Sequence, residues 1–146
     1  MRTKLVTLLF IGLLVAADSP KDAAEKEAKR LEGAWVVTSA QKDGQPLDRI
    51  KGNKLVIAGP RFTIKTKTIE LEGSFRLDPA KKPKQIDFLH EKEFLRDKTW
   101  KAIYSLEGDE LKICYADADS GKERPTEFKT AKDSGYQLVV VQREKK

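Results

Sequence analysis

The chain has 146 residues, of which 39% are hydrophobic and 36% charged, a balance typical of one soluble domain. It excludes a bulk membrane protein, a collagen-like repeat and a low-complexity disordered chain. The 29 Lys and Arg residues against 23 Asp and Glu give a formal charge of +6, which is modest for a nucleic-acid binder, so we expect no nucleic-acid partner. A single cysteine, Cys114, excludes an intramolecular disulfide and any multi-cysteine metal site.

Residues 1–17 have the pattern of an export signal. Arg2 and Lys4 give a short basic start, residues 5–15 are free of charge, and Val15-Ala16-Ala17 supplies small residues for signal peptidase. We predict a signal peptide over 1–17 and a mature domain over 18–146, periplasmic or extracellular and without stable membrane insertion. A retained membrane anchor is the alternative, although the apolar run is short for a bilayer. Cleavage removes 17 of the 146 residues and two of the cations, which leaves 129 residues with a charge of +4.

A short helix is predicted directly after this signal. Ser19 suits the N-cap, Pro20 suits the first helical position and Gly33 ends the pattern. The apolar stripe is narrow and consists of Ala24, Ala28 and Leu31. We therefore expect a mostly solvated helix that lies across one end of a larger body.

From residue 34 onward the hydrophobic period changes to two, which is typical of β-strands. Strand-like runs lie at 34–41, 54–58, 61–67, 69–77, 84–90, 99–105, 110–116 and 136–143. Turn pairs such as Asp43-Gly44 and Gly59-Pro60 separate them without a helical pattern between, which favours an antiparallel meander. Closing the meander into a barrel removes the exposed sheet edges, although a two-sheet sandwich shows the same alternation.

The start of the first strand carries a family signature. Gly33-Ala34-Trp35 resembles the calycin signature of lipocalins and their relatives. In that family the tryptophan closes one end of the barrel, and an arginine from the last strand packs across its indole. The matching residues here are Trp35 and Arg143, which the resemblance identifies as the structural closure of the barrel.

More of the chain is similar to a family of lipocalin-like secreted proteins of unknown function that are abundant in planctomycetes. The blocks that carry the similarity are 31–40 with 43–47, 77–79 with 83–87, 103–116, 124–128 and 139–144. The resemblance implies an all-β fold: an antiparallel up-and-down eight-stranded lipocalin-like barrel with a short N-terminal helix. The threonine-aspartate-tyrosine motif of many classical lipocalins is not evident, so their ligand chemistry is not carried over.

No catalytic constellation is visible, and we predict neither an enzyme nor a cofactor. His90 is the single histidine, and no Gly-x-Ser-x-Gly elbow accompanies it, so we expect a satisfied or surface histidine. With Glu91, Glu93 and Asp97 it could supply metal ligands, but His90 and Glu91 point to opposite faces of a strand, and we predict no metal site. Cys114 alternates outward and is expected to be a packed, inert thiol.

Aromatic residues on the strands are the remaining candidates for function. Those that we assign to a tentative ligand site are Phe62, Phe75, Phe88, Trp100, Tyr104 and Tyr115. The interior of an eight-stranded barrel is either filled by such side chains or holds one small ligand, and both readings stay open. The leading hypothesis is an exported, non-enzymatic protein that binds a small apolar or amphipathic molecule in the barrel. The alternative is an envelope or extracellular interaction domain that uses the basic residues Lys81, Lys82 and Lys84 to bind a polyanion or a protein.

Overall fold

The computed structural model describes residues 19–145, so the predicted export signal lies outside the described residues. One α-helix, α1 (Pro20–Leu31), precedes the strands. The strands are β1 (Gly33–Lys42), β2 (Gln45–Pro46), β3 (Lys54–Ala58), β4 (Arg61–Lys65), β5 (Glu70–Asp78), β6 (Lys84–His90), β7 (Thr99–Glu107), β8 (Glu110–Ala116) and β9 (Tyr136–Arg143). Short 3₁₀ turns cover Asp48–Ile50 and Glu93–Leu95. The Ser19 hydroxyl accepts a hydrogen bond from the Asp22 amide, which confirms the predicted N-cap.

The strands form one antiparallel sheet that closes on itself. From β3 to β9 each strand pairs with the next in the chain, and β1 pairs with both β3 and β9. The two-residue β2 only extends β1 as a hairpin, so eight strands make the wall. The structure is therefore an up-and-down eight-stranded lipocalin-like barrel, and the sandwich alternative was wrong.

The eight predicted runs match the observed strands to within two residues at each end. The run predicted over 61–67 stops at Lys65, because Thr66 and Ile69 form a turn in which the Thr66 hydroxyl accepts from the Ile69 amide at 3.0 Å. The pair Gln45–Pro46 had no strand pattern of its own, and it pairs because the Asp43-Gly44 turn folds it onto the end of β1.

The barrel interior is lined by alternate residues of each strand. Ile86, Phe88 and His90 are the buried, inward residues of β6. On β5 the inward series includes Gly73, where an added Cβ would lie 1.9 Å from the Leu89 carbonyl oxygen. Only glycine therefore allows β5 and β6 to pair this closely at that position.

A long connection over residues 117–135 covers part of the outer face. Arg124 donates to the Ala102 carbonyl at 2.8 Å, and it forms an ion pair with Asp87 at 2.7 Å. Cys114 points away from the interior, and its Sγ lies 3.8 Å from the Lys129 carbonyl oxygen. The thiol is fully buried and burial raises its pKa to about 11, which confirms a packed cysteine.

Candidate ligand-binding site

One end of the barrel is sealed by α1 and Trp35. Strand β1 starts at this end, where the turns between β3 and β4, β5 and β6, and β7 and β8 also lie. Trp35 is 0% exposed, and its Nε1 donates to the Leu31 carbonyl at 2.9 Å. The indole thereby satisfies a carbonyl that the last turn of α1 leaves without a helical partner.

Arg143 holds the helix end and the tryptophan together. Its guanidinium carbon lies 4.2 Å from the centre of the Trp35 ring, while Nη1 and Nη2 donate to the carbonyls of Glu32 at 2.6 Å and Arg30 at 2.9 Å. Gly33 adopts a φ of +127°, and a Cβ there would lie 3.0 Å from Arg143 Nη1. The glycine is needed for both reasons, which gives the Gly-x-Trp pattern a physical basis.

An ion pair fastens α1 to the barrel wall. The Glu27 carboxylate, which is almost fully buried, contacts Lys84 Nζ at 2.9 Å and Arg30 at 3.2 Å. Burial alone would raise the pKa of Glu27, but the hydrogen bond and charge of Lys84 outweigh it and the net pKa is lowered. The buried Tyr104 hydroxyl lies beside the same carboxylate without a well-aligned hydrogen bond among residues 19–145, and burial and the Glu27 charge raise its pKa.

The opposite end opens into a cavity. Its volume is about 560 Å³, and it is reached between the connections that follow β2, β4, β6 and β8. The inner wall is apolar and includes Val37, Leu55, Ile64, Leu71, Ile113, Val139 and Val141. A mostly apolar, largely preformed space of this size is typical of sites for small molecules.

The six aromatic candidates divide between the cavity and the rest of the core. Phe88, Trp100 and Tyr115 line the cavity. Those that do not line it are Phe62, Phe75 and Tyr104. Phe62 packs edge-on against Phe88 with centroids 5.1 Å apart, and Phe75 borders an outer groove beside α1. The structure thus brings half of the candidate set to one space and places the others in packing positions.

An aromatic stack forms one wall of the cavity. The rings of Trp100 and Tyr115 are stacked, with their centroids 4.5 Å apart. The His90 ring packs edge-on against Trp100, with centroids 4.2 Å apart, and against Phe62, with centroids 5.1 Å apart. His90 is only 2% exposed, and neither ring nitrogen has a hydrogen-bond partner among residues 19–145. Desolvation lowers the pKa of His90 to about 4, so the ring is neutral at pH 7. The expectation of a satisfied or surface histidine was wrong, because the ring is buried and neither nitrogen is bonded within residues 19–145.

A chain of polar contacts runs from this stack to the cavity mouth. The Tyr115 hydroxyl donates to Gln137 Oε1 at 2.9 Å, and Gln137 Nε2 donates to Asp117 Oδ1 at 2.7 Å. The second Asp117 oxygen lies 3.0 Å from Lys42 Nζ. Desolvation raises the pKa of Tyr115, and the Asp117 charge adds to the rise. The network fixes the Tyr115 ring and keeps a buried hydroxyl bonded.

Residues at the rim were missed by the sequence analysis. They are Leu47, Arg49, Ile50, Ile69, Phe94 and Leu95. Phe94 is 71% exposed and is the strongly exposed large hydrophobic residue of the described range. Its position in the charged segment 91–98 was the one signal available, because a lone aromatic there has no strand pattern to explain it.

The other candidates are not brought together. Glu91 forms an ion pair with Arg61, and Glu93 and Asp97 are exposed, so His90 has no carboxylate set around it. Across residues 19–145, no three His, Cys, Asp or Glu side chains converge as metal ligands would. In the basic cluster, Lys84 is engaged by Glu27, which leaves Lys81 and Lys82 exposed in the turn between β5 and β6.

No protein-family model, curated protein or solved structure matches this chain. In the part of the chain from 19 to 145, no helix is long and apolar enough to cross a membrane. The geometry by itself defines the class: a closed antiparallel barrel, sealed at one end, with an apolar cavity open at the other.

Proposed function

We propose that this protein is an exported, lipocalin-like carrier that binds a small apolar or amphipathic molecule inside its barrel. The observation that carries the proposal is the apolar cavity of about 560 Å³ behind the open end. A barrel interior completely filled by side chains would have argued for a purely structural role.

The arrangement of the two ends supports this function. Trp35 and Arg143 seal one end with directional contacts, so a ligand has access from the other. Phe88, Trp100 and Tyr115 supply large, rigid apolar surface to the cavity wall. Export to the periplasm or the extracellular space rests on the predicted signal over residues 1–17 and on the likeness to secreted lipocalin-like proteins of planctomycetes.

The test is displacement of the neutral fluorophore N-phenyl-1-naphthylamine by candidate ligands. Ile64→Trp would place an indole in the cavity, whereas Thr63→Trp, its neighbour on β4, places the same group on the outer face. We expect fluorophore binding in the wild type and in Thr63→Trp, and at least tenfold weaker binding in Ile64→Trp, because that space is then occupied. Equal binding by both variants would locate the fluorophore outside the cavity and overturn the proposal.

A second measurement identifies the molecule. Native mass spectrometry of the protein purified from its source is expected to show a small molecule that leaves on mild activation and is absent from Ile64→Trp. The same adduct in both proteins would count against binding in the cavity.

A further inference from the structure

The charged side chains around the cavity mouth are almost all paired. Asp117 forms an ion pair with Lys42, with an Oδ2–Nζ distance of 3.0 Å, and Asp119 forms one with Lys98 at 2.6 Å between the same atoms. Lys54, which also lines the cavity, is matched by Glu144 at 2.7 Å. These pairs cancel the two acidic groups of the rim against their own lysines.

Arg49 is the exception. It lies in the 3₁₀ turn Asp48–Ile50 and lines the cavity, yet it has no hydrogen bond or ion pair with any residue in 19–145. Its neighbour Asp48 is engaged by Lys51 at 3.0 Å. The Arg49 charge also reaches the cavity wall, since it opposes the rise in the pKa of Tyr115 that burial causes. An uncompensated guanidinium thus stands at the opening of an apolar cavity.

We propose that the cavity takes an amphipathic anion, whose apolar chain lies along the inner wall and whose carboxylate or phosphate head is held by Arg49 at the mouth. This inference rests on the proposed function and specifies the ligand class. A guanidinium donates two parallel N–H bonds to an oxyanion, which a neutral or cationic head group cannot accept in the same way.

The rim also disfavours the opposite charge. A cationic head would have to compete with Lys42 and Lys98 for the two aspartates, and it would meet Arg49 as a like charge. The parallel stack of Trp100 on Tyr115 occupies one face of each ring, so these two rings do not form an open cage for an ammonium group.

The experiment compares ligands that share one chain and differ in charge. Decanoate, decyl phosphate, decanol and decyltrimethylammonium, each below its micelle concentration, compete against N-phenyl-1-naphthylamine at low ionic strength. The variant is Arg49→Gln. The matched control is Lys67→Gln, which removes the same charge at the same end of the barrel from an exposed residue that does not line the cavity and has no ion pair within residues 19–145.

We expect Arg49→Gln to weaken binding of the anionic ligands about fivefold, as an exposed charge pair allows, and to leave decanol within about twofold. Lys67→Gln is expected to leave the affinities for the anionic ligands and for decanol unchanged, and the effect of Arg49→Gln on the anions should shrink in high salt. A larger loss for decanoate than for decyl phosphate would assign the head as a carboxylate, and the reverse as a phosphate.

The experiment distinguishes failure of the anion assignment from failure of the carrier function. Decanol that displaces the fluorophore together with unchanged decanoate affinity in Arg49→Gln would overturn the anion assignment and leave the carrier function standing. An equal loss of anion affinity in Lys67→Gln, or tighter binding of decyltrimethylammonium than of decanoate, would overturn the anion assignment as well. If no amphiphile displaces the fluorophore, the carrier function itself is wrong.

Discussion

The two ends of the barrel use arginine and tryptophan in different ways. At the sealed end, Arg143 and Trp35 donate hydrogen bonds to backbone carbonyls at the end of α1, so side chains and main chain are joined. At the open end, Arg49 has no hydrogen-bond or ion-pair partner among the described residues, and the Trp100 ring packs against those of His90 and Tyr115. The polar groups of the sealed end are thus committed to the fold, whereas at the open end the Arg49 guanidinium is available for a ligand.

This comparison predicts which substitutions affect stability and which affect binding. Contacts to buried backbone groups are costly to remove because the abandoned group stays unsatisfied. Side chains that border an existing cavity cost less to truncate, because the space next to them is already empty. We therefore expect the free energy of unfolding to depend mainly on the sealed end and ligand affinity mainly on the open end.

The largest effect is expected at Trp35. Trp35→Ala should lower the free energy of unfolding by about 4 kcal/mol, because it leaves a fully buried hole and removes the bond to Leu31. Trp100→Ala, which widens a cavity that already exists, should cost roughly 2 kcal/mol and weaken ligand binding. Urea unfolding of both variants measures the difference.

Trp35→Phe is the milder test of the same contact and is used if Trp35→Ala does not fold. It keeps most of the packing and removes the indole N–H, so we expect a loss of roughly 1 to 2 kcal/mol with ligand affinity unchanged. A greater loss of stability in Trp100→Ala than in Trp35→Ala would show that the open end carries the fold.

The second effect concerns Arg143. Arg143→Met keeps an apolar stem against Trp35 but removes the donors to the exposed carbonyls of Arg30 and Glu32 and the cation–π contact, and the free energy of unfolding should fall by roughly 1 to 2 kcal/mol. Arg49→Met at the open end should change it by less than about 0.5 kcal/mol. If both variants lose the same free energy of unfolding in thermal or urea unfolding, the assignment of stability mainly to the sealed end is wrong.

The third effect is a pH dependence that originates at the open end. The pKa of His90 is lowered from 6.5 to about 4 by burial among Phe62 and Trp100, so the unfolded chain binds a proton that the folded chain does not. Stability therefore falls as the pH drops from about 6.5 towards 4, with a loss of about 2 kcal/mol between pH 7 and pH 5. Urea unfolding at the two pH values measures it.

His90→Phe is the control for this dependence. It removes the titrating group and keeps an aromatic ring in the stack, so the difference between pH 7 and pH 5 should nearly vanish. Glu27, whose pKa is lowered, loses its contribution only at more acidic pH, below its ordinary value of 4.5. An unchanged pH dependence in His90→Phe would assign the effect to other groups.

The sequence predicted the wall of the barrel better than its contents. Period-two alternation and turn pairs define which strands neighbour each other, and the Gly-x-Trp pattern identified the contact of Trp35 with Arg143. Alternation also places Phe62 and Phe88 inside, but it does not give their height along the barrel. Height follows from the stagger of the tilted strands, which is why only Phe88 reaches the cavity. Arg49 and Phe94 lie in connections without a periodic pattern, so only the closed barrel shows that they meet at one rim.

The smallest effect tests whether the polar chain at the open end serves the cavity or the fold. Tyr115→Phe keeps the ring stacked on Trp100 and removes the hydroxyl that donates to Gln137, at a cost of about 1 kcal/mol in the free energy of unfolding. Because the aromatic wall is preserved, we expect fluorophore affinity within about twofold of the wild type. A large drop in affinity with unchanged stability would instead make the Tyr115 hydroxyl a ligand contact. The polar network that reaches Lys42 would then serve ligand binding at the open end and not the stability of the fold.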